Sequence, residues 1–478
     1  MLQASGLSSV LIFAMRDDTS QAFIGTFIDT PSLGQLRIRT NHLLEVNKEG
    51  YITSLSPTHL SEIPSQLTQL RNIPLHNLDK YSFLLPTFTD LHLHAPQYLY
   101  AGTGLDLPLM EWLERYTYVA EEKIDNDPRL AEKVYDTLVR RLVDEGTGSV
   151  VFFGTIGVEA NLILAHKLLE AGLRGWVGKL SMDQSPRPTY GESSHTSSLN
   201  SLSTFISGME QLTSSLPPHR RLVQPIITPR FVPVCSDELL HGLGKLAREG
   251  DYWITSHMCE SKDQMDWVEG SRGRRDEEVF DQAGLLGPKT IQAHVTSFPP
   301  DLRKLVRERG VTVAHCPLSN AYFSDSQFPL REALDEDISV GLGSDIAGGY
   351  AVGIQQSMRQ SVITSRLRES FKKEDIPSGS PSDGGKSKRV DWKESLYVAT
   401  RGGKKALQLG GCWEVGMEFD AQFIRVANDD GTSIGSLDMF DLPEEPDERW
   451  WVEAIEKWWC NGTPSNRVGM WVQGNRLA

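Results

Sequence analysis

Three histidines and an aspartate stand at the ends of apolar runs. His92 and His94 close SFLLPTFTDLH and its extension, His257 closes the run in WITSHMCE, and Asp345 closes SVGLGSD. On a strand, residues i and i+2 share a face, so His92 and His94 turn two imidazoles to the same side. Taken alone, that pair serves equally as hydrogen-bonded histidines at a barrel mouth. Together, three neutral imidazoles and one carboxylate suit a borderline cation such as Zn²⁺ with a position left for water. Glu260 lies three residues beyond His257, where a carboxyl could take a proton from water and return it to a leaving group. A surface loop carboxylate is the plainer alternative. His294 closes TIQAHV, either as a satisfied core histidine or as a group that polarises or holds a proton. His315 in VAHCPLSN is explained equally well by a buried histidine that ties down the loop Pro317 to Asn320.

Groups at strand ends require strands that stop on one rim. From Tyr81 onward, apolar runs alternate with helical stretches: SVVFFG, WVGKLSMD, LVQPIITPRF, WITSHMCE, TIQAHV, VTVAHCP and ISVGLGSD are the runs, and AEKVYDTLVRRLVDEG and NLILAHKLLEAG are helical. This alternation predicts an α/β fold, a (β/α)₈ TIM barrel whose chemistry sits at the C-terminal ends of its strands. Residues 1–82 read as short strands (AFIGTFIDT, QLRIRTNHLLEV, a turn at Asn47 to Gly50, YITSL), and strands return after residue 409 (FDAQFIRV, and RVGMWVQGNRL with a Gly-Asn turn). Both ends are therefore expected to build one small β-sandwich domain around a barrel at 83–408. A polar Gly/Pro/Ser-rich stretch at about 374–390 reads as a solvated insertion without chemistry. There is no internal repeat.

Composition removes several classes. The chain has 478 residues, 39% hydrophobic and 23% charged, which suits a globular protein. Its 48 Lys+Arg against 63 Asp+Glu leave a net charge of −15 that repels phosphate backbones and anionic lipid, so neither a nucleic-acid polymer nor a membrane is expected as a partner. The first fifteen residues lack the features of a secretory leader, and a cytoplasmic address is the expectation. Five cysteines, spread out and without a CxxC, point to reduced thiols.

The segments PTFTDLHLHAPQ, SHMCE, VAHCPLSN and GLGSDIAGG, with the isolated His294, resemble the amidohydrolase superfamily in its mononuclear-zinc deaminase branch. AGTGLDLPLMEWLERYT, VGKLSMD, VQPIITPRFVP and LGSDIAGGY resemble its guanine deaminase family in particular, over about Pro86 to Lys405. The resemblance implies one Zn²⁺ per subunit on His92, His94, His257 and Asp345. It implies a purine pocket of Gln97, Arg230 and Phe231, completed by His257, Glu260, His294 and Asp345. Catalysis would fall to Glu260, His294 and Asp345, converting guanine and water to xanthine and ammonia in purine catabolism, with a homodimer as the family's assembly. Leu318, Ser344 and the insertion near 380 depart from the family pattern without touching these residues. Three rivals remain: a binuclear amidohydrolase bridged by a carboxylated Lys179, a deaminase of another purine or a triazine, and a metal-free binding protein on the same barrel.

Overall fold

The apolar runs pair in parallel and in chain order. The computed structural model describes residues 19–58, 73–324, 326–374 and 387–478. The reading of the first fifteen residues, and residues 375–386 of the expected insertion, lie outside the described residues.

The first strands are β1 (Gln21–Asp29), β2 (Arg37–Val46), β3 (Ile52–Pro57), β4 (Leu75–Asn77) and β5 (Ser82–Pro86). The chain then enters β6 (Phe88–His94), β7 (Thr147–Phe153), β8 (Arg174–Gly178), the two-residue β9 (Leu180–Ser181), β10 (Val223–Pro229), β11 (Trp253–Met258), β12 (Thr290–His294), β13 (Thr312–His315) and β14 (Val340–Leu342). These run β6-β7-β8-β10-β11-β12-β13-β14, with β9 beside β10, every pairing parallel. At the mouth the chain beyond β14 bonds back to β6, Asp345 N to His92 O at 2.8 Å and His94 N to Ile346 O at 3.0 Å. The result is the (β/α)₈ barrel that the alternation predicts.

Strands covered on both faces read as continuous apolar runs, because helices screen the outer side and side chains fill the inner one. Leu91, Val151, Trp176, Ile226, Trp253 and Ile291 pack together in one buried cluster. Outside, the helix Pro128–Asp144 starts on Asp127, whose carboxylate accepts from Arg129 N and Leu130 N at 3.0 and 3.2 Å, with proline in the first turn. It buries Ala131, Val134, Tyr135, Leu138 and Leu142, a helical spacing that turns one stripe inward.

Strands β15 (Ala421–Arg425), β16 (Arg467–Val472) and β17 (Asn475–Arg476) join β1–β5 in a second, mixed sheet, ordered β17-β16-β15-β5-β1-β2-β3 with β4 beside β1. Both chain ends thus build one domain, around Phe23, Phe27, Leu44, Leu84, Trp413, Phe419 and Trp471. Two local readings change, and one segment left unassigned takes a form. The run SFLLPTFTDLH is two strands, because Pro86 has no N–H to continue a ladder. Beyond it Thr87 N bonds Asp420 O of the sheet and Phe88 N bonds Gly146 O of the barrel, at 3.1 and 2.9 Å. The last turn centres on Gln473 (φ 47) and Gly474 (φ 71), between the paired Val472 and Asn475, and not on Gly-Asn. Finally, ERWWVEAIEKWWCN is a helix, Glu448–Asn461, whose Trp451, Ala454, Ile455 and Trp458 are buried. Among the described residues, no helix is long and apolar enough to cross a membrane.

Candidate active site

His92 and His94 project from the end of β6 with ring centroids 5.0 Å apart, and the His257 ring lies 4.7 and 5.1 Å from them. Two neighbours hold this strand end in place. Buried Asp90 accepts from His92 N and Ser344 N at 3.0 and 3.1 Å and from Ser344 Oγ, tying β6 to the segment that carries Asp345. Gly343 permits that approach, since a Cβ there would sit 2.8 Å from His92 Cβ.

The imidazoles are prepared as lone-pair donors. Burial first, then the neighbouring imidazoles and, for His94 and His257, Arg230, hold His92, His94 and His257 well below the usual histidine range, so they are neutral. His257 Nδ1 lies 2.6 Å from Arg230 O and donates to it, which leaves Nε2 bare and 3.0 Å from His94 Nε2. Asp345 Oδ1 is 3.1 Å from His92 Nε2 and 3.5 Å from His94 Nε2. Both ring nitrogens of His92 and Nδ1 of His94 are buried without a hydrogen-bond partner. Buried polar atoms ordinarily have partners, and three converging imidazoles beside a carboxylate fit a divalent cation of the zinc type. The residues present therefore suit the metal.

Glu260 and His294 complete the rim. His294 donates from Nδ1 to Asn320 Oδ1 at 2.9 Å and turns Nε2 to Glu260 (3.7 Å) and Asp345 (3.8 Å). Burial, then the Asp345 charge, push the Glu260 carboxyl up to about 8, with Arg230 opposing. It is thereby prepared to carry a proton. Cys259, His294 and Asp345 all have left-handed backbone, with φ 50, 71 and 48. Such conformations cost roughly 1–3 kcal/mol each and persist where the surroundings fix them, as they do at catalytic rims.

A cleft opens beside this cluster, lined by His94, Gln97, Arg230, Phe231, His257, Glu260 and Asp345. Gln97, Arg230 and Phe231, named from resemblance, are thus brought together with the histidines. His315 lies tilted against Phe328 (centroids 5.0 Å) and does not line the cleft, and its buried Nδ1 makes no hydrogen bond to the loop 317–320. Lys179 is fully buried, 2.7 Å from Glu192 and 2.9 Å from Leu180 O, so its amine is engaged in an ion pair.

Sequence reading missed five contributors. Glu121 accepts from Gln97 Nε2 at 2.9 Å and from Arg230 Nη1 at 2.6 Å. Asn320 sets the His294 proton, Asp90 braces β6, and Trp112 and Phe323 form an apolar wall with centroids 5.0 Å apart. Asp90 and Asn320 stood within quoted motifs. Nothing in YVAEEK separates Glu121 from Glu122, which is partly buried and pairs with Arg187, before folding.

Barrel, strand-end histidines that could hold a metal and a buried carboxyl beside them fit a hydrolase of the amidohydrolase type. The chain belongs to the amidohydrolase family, which matches residues 83–470. It is similar to the guanine deaminase of Dictyostelium discoideum, 32% identical, with 95% of this chain and 97% of that one covered. Among solved structures it is similar to a guanine deaminase from C. acetobutylicum with bound guanine in the active site. That match has TM-score 0.82 and 28% identity, and covers 96% of this chain and 100% of that one. An adenosine deaminase from Xanthomonas campestris with bound zinc shares the fold, at TM-score 0.74, 19% identity, and coverage of 96% and 92%.

Proposed function

We propose that this chain is a guanine deaminase, hydrolysing guanine to xanthine and ammonia. The single observation that carries the substrate is the donor-only Arg230, held by Glu121 beside Gln97 in the cleft next to the histidine cluster. Guanine presents a carbonyl edge to such donors, while its exocyclic amine lies elsewhere on the ring and can face the histidines.

His92, His94, His257 and Asp345 would hold one Zn²⁺, which when bound brings the pKa of a water towards ~7 and so supplies a nucleophile at neutral pH. Everything else falls to the chain. Arg230 meets the carbonyl, the Gln97 amide donates and accepts at the ring edge, and Phe231 packs on the flat face. Asp345 takes a proton from the attacking water as its oxygen adds to C2. Glu260 protonates the adjacent ring nitrogen. The proton held by Asp345 passes to the amine, the C–N bond breaks, and ammonia leaves as the hydroxyl proton returns to Glu260. His294, whose Nδ1 donates to Asn320, faces the incoming oxygen through Nε2 and, when protonated there, stabilises the charge that develops.

The deciding assay measures ammonia release from guanine, adenine, cytosine, guanosine, 8-oxoguanine and hydantoin by the purified protein. Guanine as the best substrate supports the reading, and hydantoin or 8-oxoguanine in its place overturns it. A homodimer and a cytoplasmic role in purine catabolism are parts of the same proposal, tested by light scattering and by cell fractionation.

A further inference from the structure

Glu121 touches none of the histidines and is fully buried in the first turn of the helix Tyr118–Asn126. It stands between the two polar groups at the substrate end of the cleft. Its Oε2 accepts from Arg230 Nη1 at 2.6 Å and its Oε1 accepts from Gln97 Nε2 at 2.9 Å. Gln97 Oε1 in turn accepts from Ala347 N at 3.2 Å, so both ends of that amide are assigned and it cannot invert. Arg230 is itself buried, its guanidinium 5.0 Å from the Tyr118 ring centroid, and it lines the cleft.

We propose that Glu121 sets the charge selectivity of the base pocket: paired with Arg230, it makes the substrate end of the cleft neutral, so that an uncharged purine is taken and an anionic one is not retained. This rests on the guanine deaminase reading and deepens it. A buried guanidinium without a counter-charge grips anions, because charge-assisted hydrogen bonds are roughly twice as strong as neutral ones. Deamination exchanges an amine for a second carbonyl, whose electron withdrawal makes the ring N–H groups of xanthine more acidic than those of guanine. An unpaired Arg230 would hold the xanthine anion, and Glu121 prevents that without removing the donors that meet guanine.

The test compares inhibition of the zinc-loaded enzyme by xanthine and by hypoxanthine at one mildly alkaline pH, where xanthine is largely anionic and hypoxanthine neutral. Glu121→Gln is expected to shift the ratio of inhibition constants towards xanthine by on the order of 10-fold. It should also raise KM for guanine more than it lowers kcat. Glu121→Asp, which keeps the charge, should leave the ratio near that of the wild type. So should Glu121→Gln combined with Arg230→Gln, which removes both charges and keeps the site foldable where the single variant is unstable. Equal weakening of both inhibitors in Glu121→Gln, or a double variant that still favours xanthine, overturns the inference. If the wild type releases no ammonia from guanine, the functional reading fails separately. Calorimetric binding of the same two purines to the same variants then decides the charge selectivity.

Discussion

Glu260 hangs from a clamped backbone while its carboxyl points free into the cleft. Asp276 accepts from Cys259 N at 2.8 Å, Thr296 Oγ1 donates to the carbonyls of Cys259 and Glu260 at 2.9 Å each, and Ser324 Oγ donates to Glu260 O at 2.7 Å. Position is thus fixed through the main chain, and the side chain is left for proton transfer. Glu260→Gln should retain the metal and lose about 10²- to 10⁴-fold in kcat, the usual span for a general acid–base group. His257→Ala should lose the metal instead. Zinc content and turnover, measured side by side on both variants, check the division of roles, and a zinc-free Glu260 variant beside a zinc-loaded His257 variant would reverse it. In the proposed reading, Arg230 reads the base. A site that pairs a substrate's polar edge rejects analogues lacking that edge by about 10⁴ to 10⁵. Arg230→Ala should therefore depress kcat/KM for guanine severely and narrow its advantage over adenine, and unchanged guanine kinetics would remove Arg230 from the pocket.

At the scale of elements, acid sensitivity has a local source. The short helix Leu330–Asp335 is fastened by Glu332 to Arg368 (2.9 Å) and Lys388 (2.8 Å). Burial alone would raise this carboxyl, but hydrogen bonds from Arg368 and Lys388 outweigh it and hold Glu332 at about 2. A group depressed in the folded state stabilises it above the unfolded value, ~4.3 for glutamate, and loses that contribution as pH falls through the folded value. Thermal melts should decline between about pH 4.3 and 2. Glu332→Gln should be less stable at neutral pH and flatter across that window, and an unaltered acid limb would deny the pair this role. The barrel's elements were legible because strands buried on both faces read as apolar runs and their polar residues collect at one end. The split at Pro86 was not, since apolar residues continue across it from one sheet into the other. In the helix Glu448–Asn461, residues 451, 454, 455 and 458 do recur at helical spacing, within a tail whose neighbours are strands. The candidate metal ligands were readable from residue type and strand end. Glu121 was not, because its partners Gln97 and Arg230 lie 24 and 109 residues away and only the closed barrel brings them together.

Across the whole molecule, the sheet is joined to the barrel by buried charge. Arg174, at the start of β8, donates to Asp420 at 3.0 and 3.2 Å, Lys404 also pairs with Asp420, and Gln473 N donates to it at 2.7 Å. Asp420→Asn leaves two buried cations without their counter-charge, a type of loss that costs about 3–5 kcal/mol. Denaturant unfolding should register a loss of that size, and a shift below about 1 kcal/mol would assign the join to apolar packing instead. The site as a whole should bind one equivalent of zinc per chain, because Lys179 is committed to Glu192 and offers no bridge to a second metal. Metal analysis of the wild type and of Lys179→Ala checks this, and two equivalents that fall to one in the variant would restore the binuclear reading. The order of strands also governs how the chain is made. Pro86 at the end of β5 meets Gln422 of β15, 336 residues later. At about 5–20 residues per second a ribosome takes roughly 20 to 70 s to cover that distance, and over this interval β5 has a bare edge towards β15. His92 likewise waits for Asp345, so the emerging chain holds no complete metal site until its last barrel strand is out. Nascent chains stalled before Ala421 should therefore engage chaperones or aggregate, and those stalled before Asp345 should take up no zinc.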